Sequence, residues 1–268
     1  MSETVPTSSA DDTTGLSETT LGELRDIAAR YPEARSGLLP MLHLVQSTQG
    51  RVTPEGIEAC AGILDISAAD VSGVATFYTM YKRRPVGDYH VGVCTNTLCA
   101  VLGGDAIFER LKDHLGVGND ETTDDVDGQR SITLEHVECN AACDYAPVMM
   151  VNWEFMDNMT PQSATQLVDD LREGKEVRST RGPRIATWRE VERVLAGFPD
   201  DRVDEGPGAG PASLVGLTIA RQRGWSAPSD ADRRALGGSP ESATEAVEQA
   251  DTSRAESETK QEEGHADG

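Results

Sequence analysis

Apolar residues recur at three- and four-residue intervals through the first third of the chain. The first such run, at 21–27, follows Ser17, a residue type that favours the N-terminus of a helix. Helical spacing or a helix-start signal also occurs at 37–47, after Thr53-Pro54 and at 67–81. The pattern predicts a bundle of about four short helices over residues 17–84. Residues 1–16 lack such a pattern, and we expect a disordered N-terminal tail there.

The periodicity changes at Pro85, after which short apolar runs alternate with helical ones. We predict strands and helices in the order β-α-β-β-β-α, at 88–93, 103–115, 131–138, 147–152, 154–156 and 160–174. The stretch at 118–130 is acidic and polar, which predicts a loop. The predicted fold class is therefore α/β, with a layered domain at 85–180 preceded by the small helical bundle.

The chain beyond residue 180 has a different character. An amphipathic helix is predicted at 187–198, a Gly/Pro-rich linker at 204–211 and a second short apolar segment at 213–225. We interpret 181–226 as an extension with one or two short helices. Residues 227–268 are polar and acidic, and a second disordered tail is expected there.

Composition narrows the classes of function. Only 4% of the 268 residues are aromatic, and the net charge of -22 disfavours nucleic acid and anionic lipid as partners. No apolar run approaches the roughly 20 residues that span a bilayer, so we expect no direct membrane insertion. The N-terminus has neither the basic nor the apolar part of a signal peptide, which predicts a cytoplasmic location. In that reducing compartment, clustered cysteines favour metal or catalytic chemistry over disulfides.

Four cysteines carry the chemistry that the sequence offers. Cys94 and Cys99 form a C-x4-C motif, and Cys139 and Cys143 form a C-x3-C motif after a gap of 39 residues. Each pair follows a predicted strand, and adjacent strands of one sheet bring such loops to the same edge. Four thiolates gathered in this way suit a soft metal centre, and an iron–sulfur cluster is the favoured interpretation.

Other sites with cysteine ligands fit the spacing less well. Structural zinc stays open as an alternative, although its cysteine pairs usually have matching spacings. A thioredoxin-type dithiol needs C-x-x-C, and a plant-type ferredoxin needs C-x4-C-x2-C. A Rieske centre needs two histidine ligands, whereas His90 and His136 lie within predicted strands. Cys60 lies alone on the apolar side of a predicted helix and is interpreted as a core residue.

Motifs for substrate chemistry are missing from the sequence. It contains no dinucleotide-binding glycine motif after a strand and no P-loop. Paired carboxylates such as Asp124-Asp125 are most simply explained as solvated charges. We therefore predict no catalytic residue and no substrate site on this chain.

Three stretches of the sequence resemble one known family. They are Val74-Ala-Thr-Phe-Tyr-Thr-Met-Tyr81, Val93-Cys-Thr-Asn-Thr-Leu-Cys99 and Val137-Glu-Cys-Asn-Ala-Ala-Cys-Asp-Tyr-Ala-Pro-Val-Met-Met-Val-Asn152. They resemble the thioredoxin-like [2Fe–2S] subunit of respiratory complex I, known as the E subunit of NADH–quinone oxidoreductase, over roughly residues 17–175. The resemblance implies a helical domain followed by a thioredoxin-like ferredoxin domain. It also implies that one [2Fe–2S] cluster is held by Cys94, Cys99, Cys139 and Cys143.

The resemblance further implies a place in a larger enzyme. The family's subunit packs on a flavin-bearing, NADH-oxidising subunit that binds FMN and NADH, among other subunits of the peripheral arm. The implied role is electron transfer near that FMN, on the cytoplasmic side of the inner membrane. The equivalent subunit of an NAD-linked hydrogenase or formate dehydrogenase is the alternative assignment. A zinc-stabilised interaction module without a redox role is a third.

One loop departs from the family pattern. The family commonly has Cys-Leu-Gly-Ala-Cys where this chain has Cys139-Asn140-Ala141-Ala142-Cys143. Loss of the glycine is expected to restrict positive φ, to change one N–H···S contact and to shift the reduction potential. The segment from about 181 onward lies outside the resemblance, so no family role is implied for it.

Overall fold

A computed structural model describes residues 15–124, 126, 128–206 and 208–226 of the chain. The helices within those residues are α1 (Glu18–Ala28), α2 (Leu38–Gln49), α3 (Pro54–Leu64), α4 (Ala68–Phe77), α5 (Thr97–Val101), α6 (Gly104–Leu115), α7 (Pro161–Arg172), α8 (Trp188–Leu195) and α9 (Val215–Gln222). The strands are β1 (Tyr89–Cys94), β2 (Glu121–Thr122), β3 (Ile132–Val137), β4 (Met149–Val151) and β5 (Glu154–Met156). Short 3-10 turns lie at Ala34–Gly37 and Cys143–Tyr145.

The two predicted tails fall almost wholly on residues that the structure does not describe. The prediction for 227–268 lies entirely outside the described residues, and that for 1–16 does so except at Gly15 and Leu16. Leu16 packs, partly buried, against the core of the helical bundle. Leu16, one residue before the predicted helix cap at Ser17, therefore belongs to the bundle and not to a disordered tail.

Helices α1 to α4 form the predicted bundle. Their starts follow from local chemistry, because the hydroxyls of Ser17, Thr53 and Ser67 each accept a backbone N–H of the first turn at 3.0–3.1 Å. The apolar faces enclose a core that includes Leu24, Met41, Leu44, Cys60 and Val71. Cys60 is a core residue as predicted, and burial raises the pKa of its thiol to about 12.

The α/β domain has a five-stranded sheet in the order β2-β3-β1-β4-β5. β1 and β3 are parallel and pair from Tyr89–Ile132 to Cys94–Val137, while the other neighbours are antiparallel. A parallel pair needs a crossover connection, which α5 and α6 supply. Helices α6 and α7 share a core with the apolar residues of β1, β3 and β4. At 118–130 the structure differs from the predicted loop, because β2 adds a two-residue strand to the sheet edge.

The helix predicted at 187–198 is observed as α8, and it packs against α2 of the bundle. Its Glu192 is fully buried, with Oε2 2.6 Å from His43 Nδ1, and accepts a hydrogen bond from Gln46 Nε2 at 2.7 Å. Trp153 Nε1, in the turn between β4 and β5, donates to Oε1 of the same carboxylate at 3.3 Å. A buried carboxylate with these partners joins the bundle to the α/β domain, so α8 is integral to the fold.

Residues 213–226 belong to a second compact unit, separate from the one that ends at Ala212. It contains α9, within the segment predicted at 213–225, and Val215, Leu217 and Ile219 of this helix are exposed. In the described part of the chain, no single helix is long and apolar enough to cross a membrane. The pair α3 and α4 meets that criterion only jointly, and it is bent by 120°.

Candidate metal centre

Strands β1 and β3 bring the four predicted cysteines to one end of the sheet. Cys94 ends β1 and pairs with Val137 at the end of β3, and Cys139 follows two residues later. Because the two strands are adjacent and parallel, their carboxyl ends open on the same edge. All four thiols line one cavity of about 220 Å³ there, contributed by Cys94, Cys99, Cys139 and Cys143.

The first cysteine loop is built on regular structure. Cys94 is the last residue of β1, Cys99 lies in α5, and both are buried. Gly103 caps α6 at a φ of +112°, and a Cβ on Gly104 would clash with the carbonyl oxygen of Cys94. Close packing of α6 on the loop backbone therefore fixes both thiols and requires glycine at position 104.

The second loop is irregular and exposed. Cys139 and Cys143 lie at the surface, with 3.9 Å between their Sγ atoms. Ala141 has a φ of +54°, in the left-handed region that favours glycine, and its N–H donates to Cys139 Sγ at 3.4 Å. Ala141 adopts a positive φ in spite of the restriction expected from loss of the glycine. The N–H···S contact is present, and the loop carries backbone strain of about 1–2 kcal/mol.

The thiols affect one another's ionisation. Burial raises the pKa of Cys99 to about 11, and the nearby Cys94 and Cys143 add to the shift. Interaction with Cys139 raises the pKa of Cys143 as well. Thiolates in such a group repel one another, and a coordinated metal cation removes that repulsion and favours their deprotonation. The chemistry of the donor set therefore favours a soft cation between the thiols.

The pairing of the thiols bears on the kind of centre they can hold. Within residues 15–226, leaving aside 125, 127 and 207, no three His, Cys, Asp or Glu side chains are placed to hold one metal ion. Structural zinc needs about four ligands around one ion, whereas a thiolate [2Fe–2S] cluster takes two ligands on each of two irons. Cys139 and Cys143 lie close together, and the side chains of Cys94 and Cys99 interact with each other. Two pairs of thiols match the second requirement, so the residues fit a [2Fe–2S] cluster.

The two strand histidines make other contacts. His90 is buried in β1, with Nε2 2.6 Å from Glu135 Oε2. The ring of His136 packs edge-on against Phe108, with 5.9 Å between the ring centroids. Neither histidine lines the thiol cavity. Their interpretation as ordinary strand residues agrees with these contacts.

Sequence reasoning missed an apolar surface on α5. Leu98 and Val101 line the cavity on either side of Cys99, and Leu102 is exposed next to them. We call Leu98, Val101 and Leu102 the apolar rim. The available signal was a pair of apolar residues three positions apart around Cys99, which places both on one side of a helix. The sequence alone does not show that these residues are exposed. The structure does, because Val101 is 77% exposed although Cys99, two residues earlier, is buried.

Comparison with known proteins identifies relatives over the region that contains all four cysteines. Residues 24–172 match the family model described as thioredoxin-like [2Fe-2S] ferredoxin. The E subunit of the NADH-quinone oxidoreductase of Mycobacterium tuberculosis (strain ATCC 25618 / H37Rv) is 58% identical over 207 residues, which cover 77% of this chain and 81% of that protein. The E subunit of the NADH-quinone oxidoreductase of Rickettsia bellii (strain RML369-C) is 37% identical, over 55% of this chain and 87% of that protein. The structure of an NAD+-reducing [NiFe]-hydrogenase in the air-oxidized state has a TM-score of 0.45 at 17% identity, over 52% of this chain and 23% of that one.

These matches bear on the expectations drawn from the sequence. The family model spans more than half of the chain, and the chain covers most of both curated relatives. The predicted family, the α/β fold class and the assignment to a subunit of an oxidoreductase are confirmed. The chain belongs to the thioredoxin-like [2Fe–2S] ferredoxin family and, within it, to the E subunits of NADH-quinone oxidoreductases.

Proposed function

We propose that Cys94, Cys99, Cys139 and Cys143 hold one [2Fe–2S] cluster, through which this subunit of NADH-quinone oxidoreductase transfers electrons. The observation that carries the proposal is the convergence of the four thiols on one cavity. A [2Fe–2S] cluster, when bound, accepts and releases one electron at a time. The chain itself holds the thiols, shields one side of the cavity and leaves the other side open.

The site has a buried half and an exposed half. Cys94, at the end of β1, and Cys99, within α5, are buried against the start of α6, whereas Cys139 and Cys143 are exposed. The Ala141 N–H donates to Cys139 Sγ, and a donor to a ligand sulfur stabilises added negative charge and so raises the reduction potential. On this proposal, electrons enter and leave through the exposed half.

The exposed half is the face that we assign to a partner subunit. The apolar rim borders it, and contiguous exposed apolar residues at a functional site are typical of protein interfaces. We assign the face to the flavin-bearing, NADH-oxidising subunit, which binds FMN and NADH, with other peripheral-arm subunits nearby. The chain then lies in the peripheral arm, on the cytoplasmic side of the inner membrane.

Iron analysis of the purified full-length chain tests the ligand assignment. Wild type is expected to be brown and to contain iron and acid-labile sulfide in equal amounts. Cys139→Ala should lose the colour and the sulfide because it removes a proposed ligand. Cys60→Ala, a change to a buried core thiol away from the cavity, should keep both. A colourless wild-type protein that contains zinc would instead show that the chain is a zinc-stabilised interaction module without a redox role.

A further inference from the structure

The segment formed by residues 204–206 and 208–212 packs against the cysteine loop, although the sequence predicts a linker at 204–211. It lies beyond the region that the family model matches, which ends at residue 172. We propose that this segment, which we call the strap, holds Tyr145 in place and thereby stabilises the Cys139–Cys143 loop in its cluster-binding conformation. The inference rests on the proposed function and adds positioning residues to that site.

The strap contacts Tyr145 in two ways. The backbone N–H of Ala212 donates a hydrogen bond to the Tyr145 hydroxyl at 2.6 Å. Gly210 is buried against the same ring, and a Cβ at this position would lie 2.7 Å from Tyr145 Cε2. A side chain larger than hydrogen at 210 therefore forces the strap and the tyrosine apart.

Tyr145 is joined closely to the cysteine loop. It ends the 3-10 turn that begins at Cys143, and its backbone N–H donates to the carbonyl of Ala142 at 3.0 Å. Its own carbonyl accepts from Asn158 N–H at 2.9 Å. A displacement of the tyrosine side chain is thus passed to Cys143, which is only two residues away.

The other end of the strap is fixed to the segment that follows α7. Gly182 and Gly206 meet backbone to backbone, because a Cβ at Gly206 would lie 2.6 Å from the Cα of Gly182. The Glu205 carboxylate accepts from the Arg184 backbone N–H at 2.8 Å and forms an ion pair with the same residue's guanidinium. Anchorage at both ends is what distinguishes this strap from a free linker.

Side chains beneath the strap complete its support. Arg181 makes two hydrogen bonds of 3.0 Å to Asp157, and both side chains are largely buried. The Arg181 guanidinium lies 3.8 Å from the centre of the Phe155 ring and 5.7 Å from that of Tyr145. Tyr145 is therefore contacted by the strap and by Arg181, whose side chain is held by Asp157 and Phe155.

The cysteine loop has a physical need for such support. Ala141 is held at a left-handed φ, and both cysteines of the loop are exposed. A strained backbone conformation persists only where contacts with the surrounding structure hold it in place. The buried first loop receives that support from α6, and the strap supplies it to the second loop.

The rate of iron release tests the proposal on the full-length, cluster-loaded chain, with ferrozine as the chelator under reducing conditions. Tyr145→Phe keeps the ring and removes the acceptor of the Ala212 hydrogen bond, and Gly210→Val displaces the strap. Both are expected to release iron about fivefold faster than wild type, the factor that corresponds to one net hydrogen bond. Val203→Ala changes an 84% exposed residue just before the strap and should leave the rate unchanged.

The midpoint potential and urea unfolding provide the second readout. A positioning role predicts faster iron release and a shifted potential in Tyr145→Phe, while global unfolding moves little. Wild-type release in Tyr145→Phe would overturn the proposal, and so would a faster rate that merely follows a loss of global stability. A wild-type chain that binds no [2Fe–2S] cluster would instead refute the proposed function, so the two failures are distinguishable.

Discussion

The two cysteine loops reach one cavity by different structural means. Cys94 and Cys99 sit at the end of a strand and in a short helix, buried under the glycine start of α6. Cys139 and Cys143 sit in an exposed irregular loop with an alanine at positive φ. The first loop is fixed by close backbone packing, whereas the second is strained and depends on contacts from outside. One half of the site is thus buried in the fold, and the other is the exposed half that we assign to a partner subunit.

Glycine substitution tests the packing of the first loop most strongly. Gly104→Ala places a methyl group against the Cys94 carbonyl, so we expect the free energy of unfolding to fall by about 1–3 kcal/mol. Gly62→Ala is the matched control, because Gly62 also lies in a helix and a Cβ there meets open space. It should stabilise the chain by up to about 1 kcal/mol. Urea unfolding measures both, and equal effects in the two variants would contradict the packing argument.

Charge on the apolar rim tests the assignment of the exposed half. Val101→Asp should leave folding within about 0.5 kcal/mol of wild type, because the residue is largely exposed. Association with the flavin-bearing subunit should weaken about tenfold, since a carboxylate loses hydration in an apolar contact. Val203→Asp places the same charge on another exposed valine, away from the cavity. Titration calorimetry with the partner compares them, and equal affinities would exclude the rim from the interface.

Replacement of one alanine by glycine in each cysteine loop distinguishes the effect of backbone strain on stability from that of regular packing. Ala141→Gly should stabilise the chain by up to about 1 kcal/mol, because relief of the left-handed strain exceeds the entropy that glycine adds to the unfolded state. Ala100→Gly, in α5 of the first loop, should destabilise it by about 1 kcal/mol. Thermal unfolding shows the two signs directly. A loss of stability in Ala141→Gly would show that the second loop is not strained.

Features that depend on neighbouring residues could be predicted from the sequence. The helix starts at Ser17, Thr53 and Ser67 are set by a hydroxyl and the N–H groups of the next turn. The strands before Cys94 and Cys139 could be predicted because a two-residue alternation is visible within each segment. Adjacent strands of one sheet bring the loops that follow them to the same edge. The candidate site could therefore be predicted from the local sequence pattern together with this one rule of topology.

Features that depend on distant partners could not be predicted in this way. β2 is only two residues long, and it forms because β3 offers a free edge. The packing of α8 on α2 rests on Glu192 reaching His43 and Gln46, far away in the sequence. The strap has the composition of a free linker, yet Gly206 lies against the backbone of Gly182 and Gly210 lies against the ring of Tyr145. The left-handed φ of Ala141 could not be predicted either, because loop context overrides the residue's own preference.

The central claim is that four cysteines from two dissimilar loops hold one binuclear cluster. Low-temperature EPR of the reduced full-length chain tests it most directly, with each cysteine changed in turn. We expect a [2Fe–2S] signal in wild type and in Cys60→Ala, and its loss in the variants of Cys94, Cys99, Cys139 and Cys143. An unaltered [2Fe–2S] signal after removal of any of those four thiols would contradict the account.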